Sequence, residues 1–239
     1  MRRVVLITGG MSGLGLATAE AFQKEGDAVF IADRNESPEG QAVVKASGGK
    51  FFAVDVRDFA AAEKIVGQIT SEQGRLDVLV NNAGISRDHV IWKMSEAEWD
   101  DVLAVNLKGA FNFLRAAAPV FRKQVSGKVV NVSSINSLRG KLGLTNYSAS
   151  KAGVNALTRT AARELGASNV NVNAVAPGMV MTPLTKNLPD EVLAKSREEA
   201  ALGRLGQAQE IADVIVFLCS EKARHITGQV IVVDGGQTA

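Results

Sequence analysis

The chain has 239 residues, of which 46% are hydrophobic and 22% charged, which fits one globular domain with a large core. Its formal net charge of +2 argues against a nucleic-acid partner, and no apolar run approaches the roughly 20 residues that cross a bilayer. Cys219 is the only cysteine, so no disulfide can form within the chain, and its apolar surroundings predict a buried thiol. The apolar run after Met1 is too short for a secretory signal, so we expect a cytoplasmic protein.

The first predicted element is a strand at Val4–Thr8, where the residues are apolar and mostly β-branched. A glycine-rich turn with Gly9, Gly13 and Gly15 follows, and an amphipathic helix is expected over 13–25. Glycines let a phosphate approach the backbone, and a helix N-terminus offers free N–H groups and a partial positive charge. A strand, such a turn and a helix therefore predict the start of a dinucleotide-binding unit, in preference to a turn without a ligand.

Strands and helices alternate through the remainder of the chain. Further strands are predicted at 28–32, 50–54, 78–80, 128–132, 170–176 and Val230–Val233. Helices are predicted at 58–72, 95–105, 107–124, 147–166 and 207–220, and the turn-forming residues at 35–40 indicate a short or irregular second helix. Apolar strands without polar alternation are covered on both faces, so we expect a single α/β domain over 1–239 with a doubly wound parallel sheet of about seven strands.

A polar, proline-containing segment follows the sixth predicted strand. It spans 182–201 and includes Pro183 and Pro189. We expect it to form a short lid over the substrate.

Tyr147 and Lys151 form a candidate proton-transfer pair, because residues four apart share one face of a helix. A free phenol has a pKa near ~10, and a neighbouring ammonium group favours the phenolate and lowers that pKa. Ser134, on a different segment, can donate a hydrogen bond to a carbonyl oxygen in the same site. The spacing alone is weak, since such pairs occur in many chains.

The motifs taken together resemble the short-chain dehydrogenase/reductase family over essentially the whole chain. The resemblance lies in Gly9-x-x-x-Gly13-x-Gly15, in Asn81-Asn82-Ala83-Gly84, in Asn106, Ser134, Tyr147 and Lys151, and in Pro177-Gly178 with Thr182. It implies a Rossmann fold and an NAD(P)-dependent oxidoreductase that interconverts a ketone and a secondary alcohol.

The same resemblance assigns the catalytic roles. Tyr147 would be the general acid or base, Lys151 would also hold the nicotinamide ribose, and Ser134 would orient the substrate oxygen. Asn106 would hold a water that links Lys151 to solvent, although it could instead cap the seam between two helices. Ser133 is a weaker alternative to Ser134, the two histidines are expected at the surface, and no metal is expected.

The cofactor contacts are also implied by the resemblance, which places them at Gly9, Met11, Ser12, Gly13, Leu14, Gly15, Asp33, Arg34, Asp55, Val56, Asn82, Ala83, Gly84, Tyr147, Lys151, Pro177, Gly178, Val180 and Thr182. An acid such as Asp33 at the end of the second strand binds the adenosine ribose hydroxyls and repels a ribose phosphate. NAD(H) is therefore favoured. NADP(H) stays open, because Arg34 could partly neutralise a phosphate.

The substrate is less determined than the reaction. The amino-acid sequence at 82–88, 145–148 and 203–206 is similar to that of 3-oxoacyl thioester reductases, which act on acyl-carrier-protein or CoA thioesters. Val125 and Ser168 stand where carrier-protein enzymes typically have basic residues, so a CoA thioester is a possible substrate, although Arg122, Lys123 and Arg163 could substitute for those basic residues. A sugar, polyol, steroid or cyclic alcohol is one alternative, and a non-catalytic dinucleotide sensor is another. The resemblance also implies a homotetramer or homodimer.

Overall fold

The computed structural model describes residues 2–182, 185–186 and 188–239. Its strands are β1 Val4–Thr8, β2 Ala28–Asp33, β3 Phe51–Ala53, β4 Val78–Asn81, β5 Gly127–Val132, β6 Val170–Pro177, β7 Val180–Met181, β8 Gly206–Gln207 and β9 Val230–Val233. Its helices are α1 Gly13–Lys24, α2 Pro38–Ala46, α3 Phe59–Gln73, α4 Glu96–Leu103, α5 Gly109–Gln124, α6 Thr145–Leu165, α7 Asp190–Glu199 and α8 Ala208–Leu218.

Seven of these strands form one parallel sheet in the order β3-β2-β1-β4-β5-β6-β9. The strand order reverses between β1 and β4, whose ends meet at the pair Thr8 and Asn81. In an open parallel sheet, a ligand binds in the crevice beyond the carboxyl ends of the strands at such a reversal. The fold therefore places a candidate site at the end of β1, and the predicted doubly wound α/β sheet is confirmed.

The apolar strands are explained by helices on both faces of the sheet. Val4 and Leu6 point into a core that they share with α3, α5 and α6. Val5 and Ile7, the alternate residues of the same strand, pack against α1, α2 and α8. Because successive side chains of a strand point to opposite faces, a strand covered on both sides is apolar at every position.

Local signals explain where several helices begin. Ser37 accepts a hydrogen bond from the N–H of Gly40 and precedes Pro38, so the helix expected to be short or irregular is a regular nine-residue α2. Asp58 caps α3 in the same way through Ala61 N–H, and Ser95 forms a capping box at α4.

The structure differs from the expected elements in three places. β2 continues by one residue to Asp33, which brings that carboxylate to the end of the strand. A π-helical turn, Ala104–Lys108, separates α4 from α5 where two nearly contiguous helices were expected. The short parallel pair of β7 and β8 was not predicted, because two-residue strands carry no periodicity.

Part of the expected lid lies outside the described residues, namely 183, 184 and 187. Its described part includes α7. Along the described stretches, no helix is long and apolar enough to cross a membrane.

Candidate active site

The glycine-rich turn is held against the end of β4 by hydrogen bonds. The Thr8 hydroxyl oxygen accepts from the N–H groups of Asn82 (3.0 Å) and Ala83 (3.1 Å). The Asn82 side-chain Nδ2 donates to the carbonyl oxygens of Thr8 (3.1 Å) and Gly9 (2.9 Å). The turn is thereby fixed at the crevice between β1 and β4.

Two glycines are required by this close packing. A Cβ on Gly15 would overlap the carbonyl oxygen of Gly9, and a Cβ on Gly9 would lie 2.8 Å from the Ala83 Cα. Gly9 also has a φ of 66°, in the left-handed region that favours glycine. The turn therefore leaves a backbone-lined cradle at the N-terminus of α1, which suits the pyrophosphate of a dinucleotide.

A cleft of about 750 Å³ runs from this turn along the carboxyl ends of the strands. Every residue expected to contact the cofactor lines it except Met11 and Gly15, which support the turn from behind. Its size and its glycine cradle fit a nicotinamide dinucleotide. Among the described residues, no cluster of three or more His, Cys, Asp and Glu could hold a metal ion.

Asp33 is held in a fixed orientation where β2 ends at this cleft. Its Oδ2 accepts from Met11 N–H (3.1 Å) and its Oδ1 accepts from Arg34 N–H (2.7 Å). Both Asp33 and Arg34 line the cleft, so an acidic and a basic group meet any ligand there.

The Asp55 carboxylate is paired with the side chain of Arg57. The Arg57 guanidinium donates to both of its carboxylate oxygens and also pairs with Asp101 at 2.9 Å. The side-chain hydrogen bond from Arg57 is the main reason that the pKa of Asp55 lies below its ordinary value. This pairing favours the adjacent backbone N–H of Val56 over the Asp55 carboxylate as a contact for adenine.

Ser134 and Tyr147 meet in the middle of the cleft. The Ser134 side chain lies beside the Tyr147 phenol and acts to lower its pKa, although Ser134 follows β5 and Tyr147 lies in the first turn of α6. Ser133 is oriented elsewhere, because its hydroxyl lies within hydrogen-bond distance of Ser137 Oγ (3.1 Å) and the Lys151 carbonyl oxygen (3.2 Å), to one of which it donates. The geometry thus places Ser134, not Ser133, beside the phenol.

Lys151 is almost fully buried, with 3% of its surface exposed. Its Nζ donates to the Val132 carbonyl at 2.8 Å and lies 5.6 Å from the centre of the Tyr147 ring. Burial lowers the pKa of Lys151 to about 8. The amine can therefore gain or lose a proton close to neutral pH.

The pKa of Tyr147 is raised above its ordinary value. Burial is the largest cause, the hydrogen bond with Ser134 acts in the opposite direction, and the charge of Asp88 raises the pKa further. The net direction is opposite to the lowering expected from the sequence, because the Lys151 amine bonds to the Val132 carbonyl and not to the phenol. In the chain alone, Tyr147 is a protonated acid at neutral pH.

Asn106 does not line the cleft but lies behind it in the π-helical turn, a distortion that often marks functional sites. Its Oδ1 accepts from Ile85 N–H (2.8 Å), and its Nδ2 donates to the Ile85 carbonyl (2.9 Å) and to Ser150 Oγ (3.1 Å). Ser150 Oγ in turn donates to the Tyr147 carbonyl at 2.7 Å. Asn106 therefore ties the loop after β4 to the helix that carries Tyr147, and its side chain caps neither neighbouring helix.

Sequence reasoning missed three side chains of this region. Asn146 is buried and donates to the carbonyls of Arg87 (3.0 Å) and Glu98 (3.1 Å), so it fixes the substrate-side loop beside Tyr147. Its place in the stretch 145–148, beside the tyrosine, was the available signal. Asp88 and Gln237 line the cleft; Asp88 lies in the stretch 82–88 but was given no role there, and no motif marked Gln237.

Both histidines are exposed, as expected, but His89 has a partner that the sequence did not reveal. Its Nδ1 lies 2.6 Å from Glu98 Oε1, because a loop folds back over the start of α4. Cys219 is buried, as predicted, and burial raises the pKa of its thiol to about 12.

Comparison with known proteins defines the class. Residues 9–238 match the family described as enoyl-(acyl carrier protein) reductase. The chain is 44% identical over 238 residues to the 3-oxoacyl-[acyl-carrier-protein] reductase FabG of Thermotoga maritima, covering 98% of this chain and 97% of that one. It is 42% identical over 241 residues to the protein of the same name from Staphylococcus aureus, with 99% and 98% covered. It is also 36% identical over 243 residues to the Nodulation protein G of Azospirillum brasilense, with 98% of each chain covered.

Fold, cleft and relatives agree on a nicotinamide-dinucleotide-dependent oxidoreductase that acts on CH–OH groups. The chain belongs to the short-chain dehydrogenase/reductase family. These relatives do not favour a sugar, polyol or steroid dehydrogenase, nor a non-catalytic dinucleotide sensor.

Proposed function

We propose that this enzyme interconverts 3-oxoacyl and 3-hydroxyacyl thioesters. The observation that carries the proposal is that Ser134, Tyr147 and Lys151 line one cleft, with the Ser134 side chain beside the phenol. Ile135, Leu144 and Met179 give the cleft an apolar wall that suits an acyl chain. The names of the relatives point to the same substrate class.

In the reduction, Tyr147 donates its proton to the substrate oxygen, and the raised pKa keeps that proton in place until it is needed. When bound in the cleft, a reduced nicotinamide would supply the hydride for the carbonyl carbon. Ser134 holds the oxygen beside the phenol by a hydrogen bond that strengthens as negative charge develops. Lys151, with a pKa of about 8, replaces the proton lost from the phenol and binds the ribose. Asn106 supports this exchange by fixing the loop at Ile85 and joining it through Ser150 to the helix that carries Tyr147.

A substrate panel tests this proposal. We expect a 3-oxoacyl-CoA to be reduced with a kcat/KM far above that for simple sugars, polyols or cyclic alcohols. The panel includes the same acyl group on a carrier protein, because Val125 and Ser168 present no basic side chain for an acidic carrier, whereas Arg122, Lys123 and Arg163, close to them in sequence, are exposed. A higher kcat/KM for the carrier thioester than for the CoA thioester would show that these basic side chains serve the carrier. Turnover of a polyol but not of the thioester would refute the assignment.

We further propose that NAD(H) is the preferred cofactor. The fixed carboxylate of Asp33 can accept hydrogen bonds from ribose hydroxyls and repels a ribose phosphate, while Ser12 adds no positive charge. The assay is the ratio of kcat/KM for NADH and NADPH at one thioester concentration. Equal values, or a preference for NADPH, would show that Arg34 outweighs Asp33.

The surface of α5 and α6 supports association into a homotetramer or homodimer. A shallow apolar groove there is lined by Leu103, Leu107, Phe111 and Leu157, and Phe111 is exposed although it is large and apolar. Light scattering with in-line chromatography should give at least a dimer, and Phe111→Arg should reduce the mass. A monomeric wild type would contradict the proposal.

Two expectations stay predictions. The first is that segment 182–201 closes over the substrate; its described residues Thr182, Thr185, Leu188, Val192 and Ser196 line the cleft. The second is a cytoplasmic location, which cell fractionation would test.

A further inference from the structure

The segment that follows β9 packs against the substrate side of the cleft, and Gln237 is its central residue. Gln237 is 9% exposed and lines the cleft. Its Oε1 accepts from Met179 N–H at 2.7 Å, and its Nε2 donates to the Ser196 carbonyl at 2.9 Å. A donor on one side and an acceptor on the other fix the orientation of the amide. Gln237 thus joins the turn after β6 to α7.

Arg139 and Asp234 also hold the segment that follows β9. Arg139 Nη1 donates to the Gln237 carbonyl at 3.2 Å, and Arg139 Nη2 pairs with Glu199 of α7 at 2.9 Å. Asp234 accepts from the N–H groups of Gly236 and Thr238, both at 2.9 Å, and so folds the segment into a tight turn. The position of Gln237 is therefore determined by its own segment and by the loop after β5.

Helix α7 depends on such polar anchors because it has little apolar burial. Within its ten residues, only Leu193 and Ser196 are buried. A helix with few buried apolar contacts opens locally at small free-energy cost unless other bonds hold it. Val192 and Ser196 of this helix line the cleft. Met179, the other hydrogen-bond partner of Gln237, lines it as well.

We propose that Gln237 is a positioning residue, which sets the distance between α7 and the turn at Met179 and thereby the shape of the substrate side of the cleft. It touches neither the Ser134–Tyr147 pair nor Lys151 and acts through the two segments that it joins. Its effect on substrate rests on the proposed thioester reduction, whereas its effect on α7 does not.

Two substitutions separate its two hydrogen bonds. Gln237→Met keeps an unbranched side chain of similar length and removes both bonds. Gln237→Glu keeps the acceptor for Met179 N–H but presents a carboxylate oxygen to the Ser196 carbonyl, so it removes only the bond to α7. Gln124→Met is the matched control, because Gln124 makes the same two kinds of bond to the backbone of Leu76, far from the cleft.

Amide hydrogen exchange of the protein without substrate is the first measurement. In Gln237→Glu, we expect exchange at 190–199 to be roughly fivefold faster, the scale of one lost hydrogen bond, with 177–181 unchanged. In Gln237→Met both segments should exchange faster, and in Gln124→Met neither should. Unchanged exchange at 190–199, or equal acceleration throughout the chain, would overturn the proposal. If the methionine variant does not fold, Gln237→Glu alone decides.

Steady-state kinetics with a 3-oxoacyl-CoA is the second measurement. Both Gln237 variants should raise the KM for the thioester roughly tenfold and change kcat by less than about threefold, because the reacting groups are untouched. Gln124→Met should leave KM unchanged. A normal KM in a variant with a loosened α7 would overturn the role in substrate positioning. A wild type that does not reduce the thioester would instead refute the proposed function and leave the exchange result to stand.

Discussion

Gly15 offers the sharpest test of the dinucleotide cradle. Replacing it by alanine adds one methyl group, whose Cβ would overlap the Gly9 carbonyl oxygen and lie 2.5 Å from Asn82 Nδ2. Gly9 cannot yield easily, because it is joined to Asn82 by a hydrogen bond and adopts a φ of 66°. The added methyl must therefore move backbone, which makes this an unfavourable form of overpacking.

The expected magnitude comes from two opposing effects. Alanine is favoured over glycine in a helix by up to about 1 kcal/mol, whereas overpacking costs about 1–3 kcal/mol, with a rigid backbone at the upper end. Gly67→Ala isolates the first effect, because Gly67 lies in α3 and its added Cβ would meet no atom within 4 Å. We expect Gly67→Ala to be slightly stabilising and Gly15→Ala to be less stable than it by roughly 3 kcal/mol, because the helix preference is common to both and only the overpacking differs.

Urea unfolding gives the two free energies, and titration with the dinucleotide gives the affinities. Gly15→Ala should also weaken dinucleotide binding at least about tenfold, because the N–H groups at the start of α1 shift away from the pyrophosphate. Gly67→Ala should bind as the wild type does. If Gly15→Ala were as stable as Gly67→Ala and bound the dinucleotide normally, the cradle derived from the glycine contacts would be wrong.

Three further predictions concern the reacting groups and the cofactor. Tyr147→Phe should fold, bind the dinucleotide normally and lose roughly 10²–10⁴-fold in turnover, because the proton donor is removed; near-normal turnover would show that another group supplies the proton. For Lys151→Met, we compare the free energy of unfolding with that of the wild type. The difference in favour of the variant should be larger at pH 7 than at pH 10. The pKa of Lys151 is lowered to about 8 in the folded chain and is ~10.4 when unfolded, so the folded wild type binds fewer protons between these values and gains stability as the pH rises. The gain is roughly 3 kcal/mol, and urea unfolding at both pH values measures it; a stability difference independent of pH would contradict the assigned burial. Asp33→Ala should bring the kcat/KM ratio for NADH and NADPH closer to one, and an unaltered ratio would remove Asp33 from cofactor selection.

The strands, the glycine-rich turn and the order of the elements could be predicted from the sequence. Val4–Ile7 is apolar at each position because helices cover both faces of the sheet, and this pattern is visible without coordinates. The glycine turn was equally predictable, since Gly9 and Gly15 satisfy a steric need that other residues cannot. The order of strands and helices then limits the topology to a parallel, doubly wound sheet.

Only the tertiary structure decided which distant groups meet. It placed Asn106 behind the cleft, brought Ser134 to the Tyr147 hydroxyl, and directed the Lys151 amine to the Val132 carbonyl. The raised pKa of Tyr147 follows from that arrangement, because burial depends on all the surrounding segments and not on the neighbouring lysine alone. Gln237 carries no sequence signal at all, since its partners Met179 and Ser196 lie 58 and 41 residues away. Hydrophobic periodicity and the requirement for glycine in a tight turn depend on residues close together in the sequence, so they can be predicted from it. The charge, burial and hydrogen bonding of the site depend on segments that are distant in the sequence and pack together only in the folded protein.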